Sequence, residues 1–480
     1  MSTSLKKQAL VGVGWSAIGR FSSQGVSFIL QIILARLLSP SDYGIIAMIS
    51  IFLQVSAVFI DSGFGKYLIQ KQNCSEHDYS TVFFYNLVVA FILYLFLFAI
   101  APFVACFYNI ESLKNIMRVI SLVIIVNALT IVPRTKLEKT VNFKSISIVT
   151  FSSSLISGLI GIFMASSGLG VWSLCGQTLL NSVFQCIFFS CSISWKPSLV
   201  FSKESFCEMF SFGSKIVGAS LISVVYSNLY TIIIGKKFNA RDLGFYSRAD
   251  QFAVFPSSNI GQIISSVAFP VLSKIKSENT RLLTAYRKII RYSSFIIFPL
   301  MIGLASVADT FIDAVLGKSW ADTVPYLQIL CFALLWDHLS SLNLNLLYVK
   351  GKSDLVLRLE IIKKIIAIII LFTSIPYGIV IMCLGRVAYG VIAFLINTYY
   401  TKQLIGLSCI QQLFDIIPYL LISLVVGSIM FFMSQMIPFS SFLVLMLCLI
   451  VGIALYLIIS FICISEIRRD TLSFLTNNKK

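Results

Sequence analysis

Runs of apolar residues, each long enough to cross a lipid bilayer, recur along the whole of this 480-residue chain. About 20 apolar residues in a helix cross a bilayer core, because each adds about 1.5 Å to a thickness of roughly 30 Å. Fourteen such blocks can be delimited: 10–37, 43–65, 79–107, 113–132, 145–168, 170–191, 208–235, 249–272, 292–316, 323–348, 355–376, 378–401, 413–436 and 438–464. They are continuously apolar and not alternating, which favours helices over a barrel. The sequence therefore predicts an all-α membrane protein of about 14 transmembrane helices.

The composition excludes a large soluble domain. Hydrophobic residues make up 58% of the chain and charged residues only 12%, whereas a soluble domain carries about 25% charged residues. The net charge of +17 lies mostly in short loops, where anionic lipid attracts Lys and Arg, so it requires no nucleic-acid partner. No P-loop and no loop long enough for a catalytic domain is present, and we therefore expect no enzyme activity.

The distribution of basic residues orients the helices. An even number of spans places both termini on one side of the membrane, and the loops of that side hold about three times as many Lys and Arg as those of the other. Positive residues concentrate on the cytoplasmic side of membrane proteins. We therefore expect a multi-pass membrane protein with both termini in the cytoplasm.

The chain repeats itself at an offset of 200 residues. Residues 31–45 read QIILARLLSPSDYGI and residues 231–245 read TIIIGKKFNARDLGF, so that a basic residue, an Asp and a Gly recur at matched positions. Six spans precede the second copy, which gives both halves the same orientation, as in transporters with parallel repeats. The repeat predicts two six-helix lobes around a central cavity, at 1–200 and 201–405, followed by two extra helices and a cytoplasmic tail at 406–480.

Polar residues follow one face of several predicted helices, and basic residues outnumber acidic ones within the apolar blocks. The first block carries a stripe at helical spacing, formed by Ser16, Arg20, Ser23, Ser27 and Gln31. Charge at bilayer depth is costly and usually functional, and guanidinium groups bind a diphosphate bidentately. We therefore predict an anionic substrate bound by Arg20, Gln24, Gln31, Asn181, Lys215 and Arg386.

Candidates for a coupling ion, either Na⁺ or H⁺, are Asp61, Asp250 and Asp337. Several alternatives remain open at this point. Arg20 could instead form a structural pair with Asp61 or Asp250, and Asp337 an interfacial pair with His338. Lys363 and Lys364 could pair with Glu360 or extend to the membrane surface. The 11 Cys lack CxxC spacing and the two His lie far apart, so we expect neither a metal site nor a cofactor.

Several stretches resemble the Wzx-type polysaccharide flippases of the multidrug/oligosaccharidyl-lipid/polysaccharide superfamily. They are LQIILARLLSPSDYGIIAMISIF (30–52), DSGFGKYLIQK (61–71), DYSTVFFYNL (78–87), RTKLEKTVNFKS (134–145), FSFGSK (210–215), DLGFYSRADQFAVFPSSNI (242–260) and LRLEIIKK (357–364). The resemblance covers nearly the whole chain and weakens beyond about residue 410. Within the family it is nearest to the lipopolysaccharide, capsule or colanic-acid-like branch.

This resemblance implies a flippase that moves undecaprenyl-pyrophosphate-linked oligosaccharide units from the cytoplasmic to the periplasmic leaflet, for O-antigen, capsule or exopolysaccharide assembly. The implied partners are the lipid-linked oligosaccharide, membrane lipid, a polysaccharide polymerase and a chain-length regulator. Arg20 corresponds to a basic residue that related lipid flippases place on the first helix. Two alternatives are a cation-coupled multidrug exporter of the same superfamily and an intramembrane polysaccharide polymerase.

Overall fold

The computed structural model describes residues 22–72, 74–465 and 468–469, without the side chains of Glu204, Ser211, Phe212 and Lys215. Within those ranges every regular element is a helix and no β-strand occurs, which confirms the predicted all-α class. Large apolar side chains are widely exposed, among them Phe103 at 75% and Ile450 at 70%. Such side chains suit contact with lipid tails and not with water.

The chain divides into two compact units, Met1–Gly244 and Phe245–Lys480. The first unit contains α1 (Ser22–Leu37), α2 (Pro40–Asp61), α3 (Phe64–Gln70), α4 (Glu76–Tyr108), α5 (Ser112–Ile120), α6 (Leu122–Lys139), α7 (Phe143–Ser166), α8 (Val171–Cys191), α9 (Lys203–Ser227), α10 (Leu229–Lys237) and the start of α11 (Ala240–Lys274). The second contains the rest of α11 and then α12 (Asn279–Ser306), α13 (Ala308–Val315), a 3-10 turn (Lys318–Thr323), α14 (Val324–Leu334), α15 (Asp337–Val349), α16 (Ser353–Ser374), α17 (Ile379–Ile405), α18 (Cys409–Met436) and α19 (Ser441–Cys463). The lobes predicted from the repeat divide the chain differently and stay a prediction.

Eleven of the described helical segments are long and apolar enough to span a membrane, or up to 12 if the bent pair α9–α10 counts as one span. The predicted count of 14 is therefore not confirmed. The two predicted blocks that are not among these spans are 10–37 and 355–376, and each has an identifiable reason. The helix α1 is described only over Ser22–Leu37, and α16 carries five charged residues, which lowers its apolarity while leaving it helical.

Two predicted block boundaries were wrong. The eighth block was placed at 249–272 and the ninth at 292–316, but α11 begins at Ala240 and α12 at Asn279. Both helices extend beyond their apolar segment into turns that contain basic residues, such as Arg248 and Arg287. Hydropathy detects the lipid-facing part of a helix, whereas intrahelical hydrogen bonding sets its actual ends.

The repeated Asp position lies at a helix start that both copies cap in the same way. Ser39 is the N-cap of α2, and its hydroxyl accepts a hydrogen bond from the Asp42 backbone N–H at 3.4 Å. At the matched position in the second copy, the Asn239 side-chain oxygen accepts from the Asp242 N–H at 2.8 Å. These caps satisfy N–H groups that have no partner inside the helix. The repeat thus encodes the start of the same helix twice.

The helix α18 is joined to the second unit by buried polar contacts. The carboxylate of Asp415 accepts hydrogen bonds from Arg287 at 2.7 and 2.8 Å and from Arg291 at 2.6 and 3.0 Å. One turn before, the Gln412 amide donates to the Thr401 hydroxyl at 2.8 Å. Because α19 packs on α18, the two helices beyond the sequence repeat belong to this unit.

Candidate functional site: a polar cavity in the first unit

A break interrupts the membrane span formed by α2 and α3. Ser62 has φ 44° and Gly63 has φ 70°, so two consecutive residues adopt the left-handed conformation between the helices. A serine seldom adopts this conformation, and such strained backbone clusters at functional sites. Interrupted spans with Gly also mark binding sites in many transporters. The break places Asp61 and Lys66 on its two sides.

A cavity of about 580 Å³ lies beside this break. Helices α2, α3, α6 and α8 supply its walls. Its polar lining consists of Asp61, Lys66, Asn127, Thr130, Arg134, Thr135, Glu138, Asn181, Ser182 and Gln185. The volume lies within the range of small-molecule binding sites, about 300–1,000 Å³. Such a polar wall would be costly against lipid.

Two cations line the cavity and differ in their surroundings. The Arg134 Nε donates to the Glu138 carboxylate at 2.9 Å, one helical turn further on α6. Lys66 forms no salt bridge within 4.0 Å in the part of the chain that the structure describes. Both Lys66 and Arg134 are exposed to the cavity. The wall therefore offers one cation without a salt bridge, Lys66, and a second, Arg134, that is paired with the Glu138 carboxylate.

Lys71 provides a comparison five residues further along. Its ammonium lies 3.2 Å from the Asp78 carboxylate and 3.7 Å from that of Glu208. Burial disfavours its charged form, but the hydrogen bond and charge of Asp78 prevail, and together they raise the pKa of Lys71. Lys71 thus stabilises the contact between neighbouring segments, whereas Lys66 lines the cavity beside Asp61, with which it interacts electrostatically without a salt bridge.

Amide side chains form a further part of the cavity lining. Asn181 and Gln185 are one turn apart on α8, and Asn127 lies on α6. The Asn181 Oδ1 is buried and has no hydrogen-bond partner among the described residues. Leaving a buried acceptor unpaired costs about 1–3 kcal/mol.

A smaller cavity of about 250 Å³ lies on the other side of Asp61 and Lys66. The helix α9 contributes Ile216, Val217 and Ser220 to its wall. Lys215 immediately precedes these residues, but its side chain lies outside the described part of the structure. Its predicted role in substrate binding stays a prediction.

The predicted site residues fall into separate groups. Asp61 and Asn181 line the first-unit cavity, while Gln24 and Gln31 are half-buried on α1 and are not among its lining residues. Arg20 lies outside the described residues. Two serines of the α1 stripe contact α7: Ser27 lies 2.8 Å from Ser154 and Ser23 lies 3.4 Å from Thr150. Helix packing satisfies these hydroxyls.

The second unit brings Arg386, Asp250 and Asp337 together. The Arg386 guanidinium donates to Asp250 at 2.5 Å and to the Tyr246 hydroxyl at 2.8 Å. Asp337 lies within electrostatic reach of Arg386, Asp250 and Lys363. The alternative that Lys363 pairs with Glu360 is confirmed, at 2.5 Å. The described residues contain no group of three or more His, Cys, Asp or Glu that could hold a metal ion.

Sequence reasoning missed Lys66 and Arg134 as site residues because the apolar blocks end just before each of them. The signal that could have identified them is the DSGFGK segment, in which Gly63 interrupts an otherwise continuous span. Gln185 lies one helical turn after the predicted site residue Asn181, but Asn127 stood alone in its block. Only packing brings Asn127 to the same cavity as Asn181.

Solved structures with the same fold are membrane transporters. Lipid II flippase MurJ in its inward closed conformation has a TM-score of 0.75 and 17% identity, covering 95% of this chain and 99% of its own. A multidrug resistance MATE family transporter of the MOP superfamily, in an inward-facing conformation, has a TM-score of 0.59 and 13% identity, covering 80% and 96%. The chain therefore has the fold of this transporter class.

The sequence identifies the family. A profile of the polysaccharide biosynthesis protein family matches residues 33–325, and the chain belongs to this family. Teichuronic acid biosynthesis protein TuaB of Bacillus subtilis (strain 168) is 27% identical over 73% of both chains. Lipopolysaccharide biosynthesis protein WzxC of Escherichia coli (strain K12) is 24% identical over 76% of this chain and 75% of its own. Succinoglycan biosynthesis transport protein ExoT of Rhizobium meliloti (strain 1021) is 24% identical over 67% and 65%.

Proposed function

We propose that this protein is a flippase for lipid-linked oligosaccharides, and that the first-unit cavity receives the diphosphate end of its substrate. The observation that carries the proposal is the position of Lys66. It is a cation at the break of a membrane span, it is exposed to a polar cavity, and it forms no salt bridge among the described residues. An anionic group in the cavity would have an ammonium at the wall that no salt bridge among the described residues occupies.

The remaining lining suits the same substrate. Arg134 offers a guanidinium that can bind two phosphate oxygens. In the absence of substrate the salt bridge with Glu138 keeps this guanidinium at the cavity wall. Asparagine and glutamine amides both donate and accept hydrogen bonds, as sugar hydroxyls do. The family and the relatives connect the chain with polysaccharide assembly. We therefore propose undecaprenyl-pyrophosphate-linked repeat units as the substrate.

We further propose that transport runs from the cytoplasmic to the periplasmic leaflet of the bacterial inner membrane. Lys66 and Arg134 lie at helix ends that the excess of positive charge assigns to the cytoplasm. Cytoplasmic termini follow from the same charge bias. A polymerase and a chain-length regulator would then use the units at the periplasmic face.

The test is complementation of a bacterial strain whose own flippase gene is deleted and whose repeat unit this protein accepts. Polymer export is measured per molecule of membrane-inserted protein, together with the leaflet in which lipid-linked units accumulate. Lys66→Gln should lower export about 10- to 100-fold, as expected for one hydrogen bond to a charged group. Lys71→Gln, the matched control, should leave export per molecule unchanged.

Two outcomes would contradict the proposal. Normal export by Lys66→Gln at normal abundance would remove the diphosphate site from this cavity. Units that reach the periplasmic leaflet without the wild-type protein would show that it does not move them, and would favour the polymerase alternative.

The second-unit charges support one further candidate function, coupling to Na⁺ or H⁺. Asp250 and Asp337 are acidic residues within spans, and Arg386 lies 2.5 Å from the first of them. A cation that binds Asp250 would compete with Arg386 for its carboxylate. Ion binding would then break the salt bridge between Arg386 and Asp250. The same arrangement would suit a cation-coupled drug exporter. Hypersensitivity of the deletion strain to cationic drugs, with normal polysaccharide export, would favour that alternative.

A further inference from the structure

We propose that the second unit binds the headgroup of a membrane lipid in a cavity formed by α13, the 3-10 turn, the end of α18 and the start of α19. The lipid is a zwitterionic phospholipid with a primary ammonium, of the phosphatidylethanolamine class. Asp309 and Asp313 receive its ammonium, and Lys318 receives its phosphate. This resident lipid is distinct from the transported one, and its cavity is distinct from the first-unit cavity.

The cavity lies where three membrane spans reach one surface of the membrane. The span α12 ends at Ser306 and is followed by α13, while the spans α18 and α19 are joined by residues 437–440. The Ser441 hydroxyl at the start of α19 donates a hydrogen bond to the Asp313 carboxylate of α13, so these helix ends lie side by side. A connection of four residues between two packed spans lies at the membrane surface, at the level of the lipid headgroups.

The local fold holds a charged side chain at this cavity. Gly317 adopts φ 93°, a conformation that favours glycine, and directs the chain from α13 into the 3-10 turn. Trp320 anchors that turn, since it is fully buried and its ring lies edge-on to that of Phe245 at 6.0 Å. Lys318 thereby lines the cavity, whose volume of about 370 Å³ is too large for a single ion and lies in the range of small-molecule sites.

Opposite charges line this cavity without contacting one another. Asp309, Asp313 and Lys318 all belong to its wall, yet none of them forms a salt bridge with another described residue. Asp309 and Asp313 are one turn apart on α13, and like charges at this spacing repel. The Asp309 carboxylate has no hydrogen-bond partner among the described residues, whereas Asp313 accepts from Ser441. A ligand that carries both a positive and a negative group would neutralise both parts of the wall.

A buried hydroxyl gives an independent indication of a ligand. Thr310 lines the cavity and is only 8% exposed, and its hydroxyl forms no hydrogen bond with the described residues. In a helix such a hydroxyl can donate to the carbonyl one turn earlier, as those of Thr373 and Ser306 do. Buried polar groups are nearly always hydrogen-bonded. The Thr310 hydroxyl is therefore left to a partner in the cavity, and an oxygen of a headgroup phosphate can accept from it.

The apolar part of the lining indicates a lipid and not a free zwitterion. Ile312 and Val444 belong to the wall, and Phe439 both lines the cavity and is 66% exposed. Phe442, in the first turn of α19, is 59% exposed. A free zwitterion would leave these side chains uncovered, whereas a phospholipid would place its glycerol and the start of its acyl chains against them.

A primary ammonium suits the two carboxylates better than other lipid headgroups do. It has three N–H donors, like a lysine ammonium, and its hydrogen bonds to carboxylates are charge-assisted and therefore strong. A trimethylammonium group has no N–H donor, and a glycerol headgroup would leave both carboxylates without a cation. The cavity therefore favours phosphatidylethanolamine over phosphatidylcholine and phosphatidylglycerol.

The test is lipid retention by the purified protein. Detergent micelles hold equal amounts of phosphatidylethanolamine, phosphatidylcholine and phosphatidylglycerol with identical acyl chains, and native mass spectrometry counts the lipids bound per protein molecule. The wild-type protein should retain phosphatidylethanolamine about 3- to 10-fold better than either of the others. This range lies between the effects of an exposed ion pair and of a buried charge-assisted hydrogen bond.

Two variants distinguish the two ends of the headgroup. Asp309→Asn should lower the preference for phosphatidylethanolamine over phosphatidylcholine at least about twofold, and adding Asp313→Asn should abolish it. Lys318→Gln should instead lower retention of both lipids and leave their ratio unchanged, because both carry the phosphate. Asp354→Asn is the matched control, since Asp354 lies in the first turn of α16 as Asp309 does in that of α13, and it does not line the cavity. It should change neither quantity.

Equal retention of the three lipids by the wild-type protein, or an unchanged preference in Asp309→Asn, would overturn the lipid site. A divalent cation in the cavity would overturn it as well. That outcome would appear as a thermal midpoint that Mg²⁺ or Ca²⁺ raises in the wild-type protein but not in Asp309→Asn, without any lipid preference. Retention is measured without transport, so none of these results depends on the flippase function.

Discussion

Gly44 and Gly244 make the same contact in opposite directions. A Cβ atom on Gly44 would lie 1.7 Å from the carbonyl oxygen of Ala240, and a Cβ atom on Gly244 would lie 1.9 Å from that of Pro40. Pro40 and Ala240 are the first residues of α2 and α11, so each glycine contacts the start of the other helix. All four positions obey the 200-residue offset of the sequence repeat. The contact is symmetric because the two copies encode the same turn.

The first prediction is that neither glycine tolerates a side chain. Gly44→Ala and Gly244→Ala should each lower the thermal unfolding midpoint of the detergent-purified protein, because the added methyl group forces the helix starts apart at a cost of about 1–3 kcal/mol. Gly25→Ala is the control, since a Cβ there meets nothing within 4 Å and alanine favours helix. Unchanged midpoints in both variants would show that the contact does not form.

The second prediction concerns the attachment of α18. Asp415→Ala should lower the free energy of unfolding by about 2–3 kcal/mol, because it deprives two guanidinium groups of their hydrogen-bonded partner. The Asp415 side chain is only 2% exposed, against 36% for Arg287 and 29% for Arg291. Arg287→Ala alone should cost less, since Arg291 still pairs with the carboxylate. Thermal or denaturant unfolding in detergent measures both, and an equal effect of the two variants would contradict the shared-carboxylate arrangement.

The third prediction distinguishes a structural role of Arg386 from a role in transport. Arg386→Ala should lower the amount of inserted protein, because it leaves the Asp250 carboxylate without its cation inside the membrane. Adding Asp250→Ala should restore abundance by removing that charge. If Asp250 also binds a coupling ion, export by the double variant should stay low. Recovery of export along with abundance would make the pair purely structural.

The fourth prediction tests the orientation in the membrane. Single cysteines are placed at 278 and 318 on a background without other cysteines, and intact cells are treated with an impermeant thiol reagent. Residue 278 lies between α11 and α12, and 318 begins the 3-10 turn after α13. Position 318 should label and position 278 should not, because the loop at 274–291 carries the positive charge typical of the cytoplasmic side. The reverse pattern would overturn the orientation.

The fifth prediction rests on the sequence alone, since Arg20 lies outside the described residues. A cation at its depth costs at least about 2.5 kcal/mol in lipid, so we expect it to face an anionic substrate. Arg20→Ala should abolish export at normal abundance, and Arg20→Lys should restore it only in part, because a point charge lacks the bidentate fork. A loss of abundance that is reversed by removing Asp61 would indicate a structural pair instead.

The amino-acid sequence by itself determined the all-α membrane class and the repeated helix start. Both follow from local physics: a helix in lipid must satisfy its own backbone, so spanning length and apolarity suffice to detect it. The same holds for the N-caps at Ser39 and Asn239, which depend on residues three positions away. The starts of α11 and α12 were not predicted, because their first turns contain basic residues and hydropathy detects only the apolar part of a helix.

Tertiary structure decided which polar residues share a site. Asn127 and Asn181 lie 54 positions apart in the sequence, and nothing in their local context indicates a common cavity. Ser23 and Ser27 belong to the polar stripe of the first block, and only packing pairs them with Thr150 and Ser154 of α7. Arg386 and Asp250 received separate predicted roles, yet they lie 2.5 Å apart. Helical spacing fixes the face of one helix, whereas only packing decides whether that face meets another helix, lipid or open space.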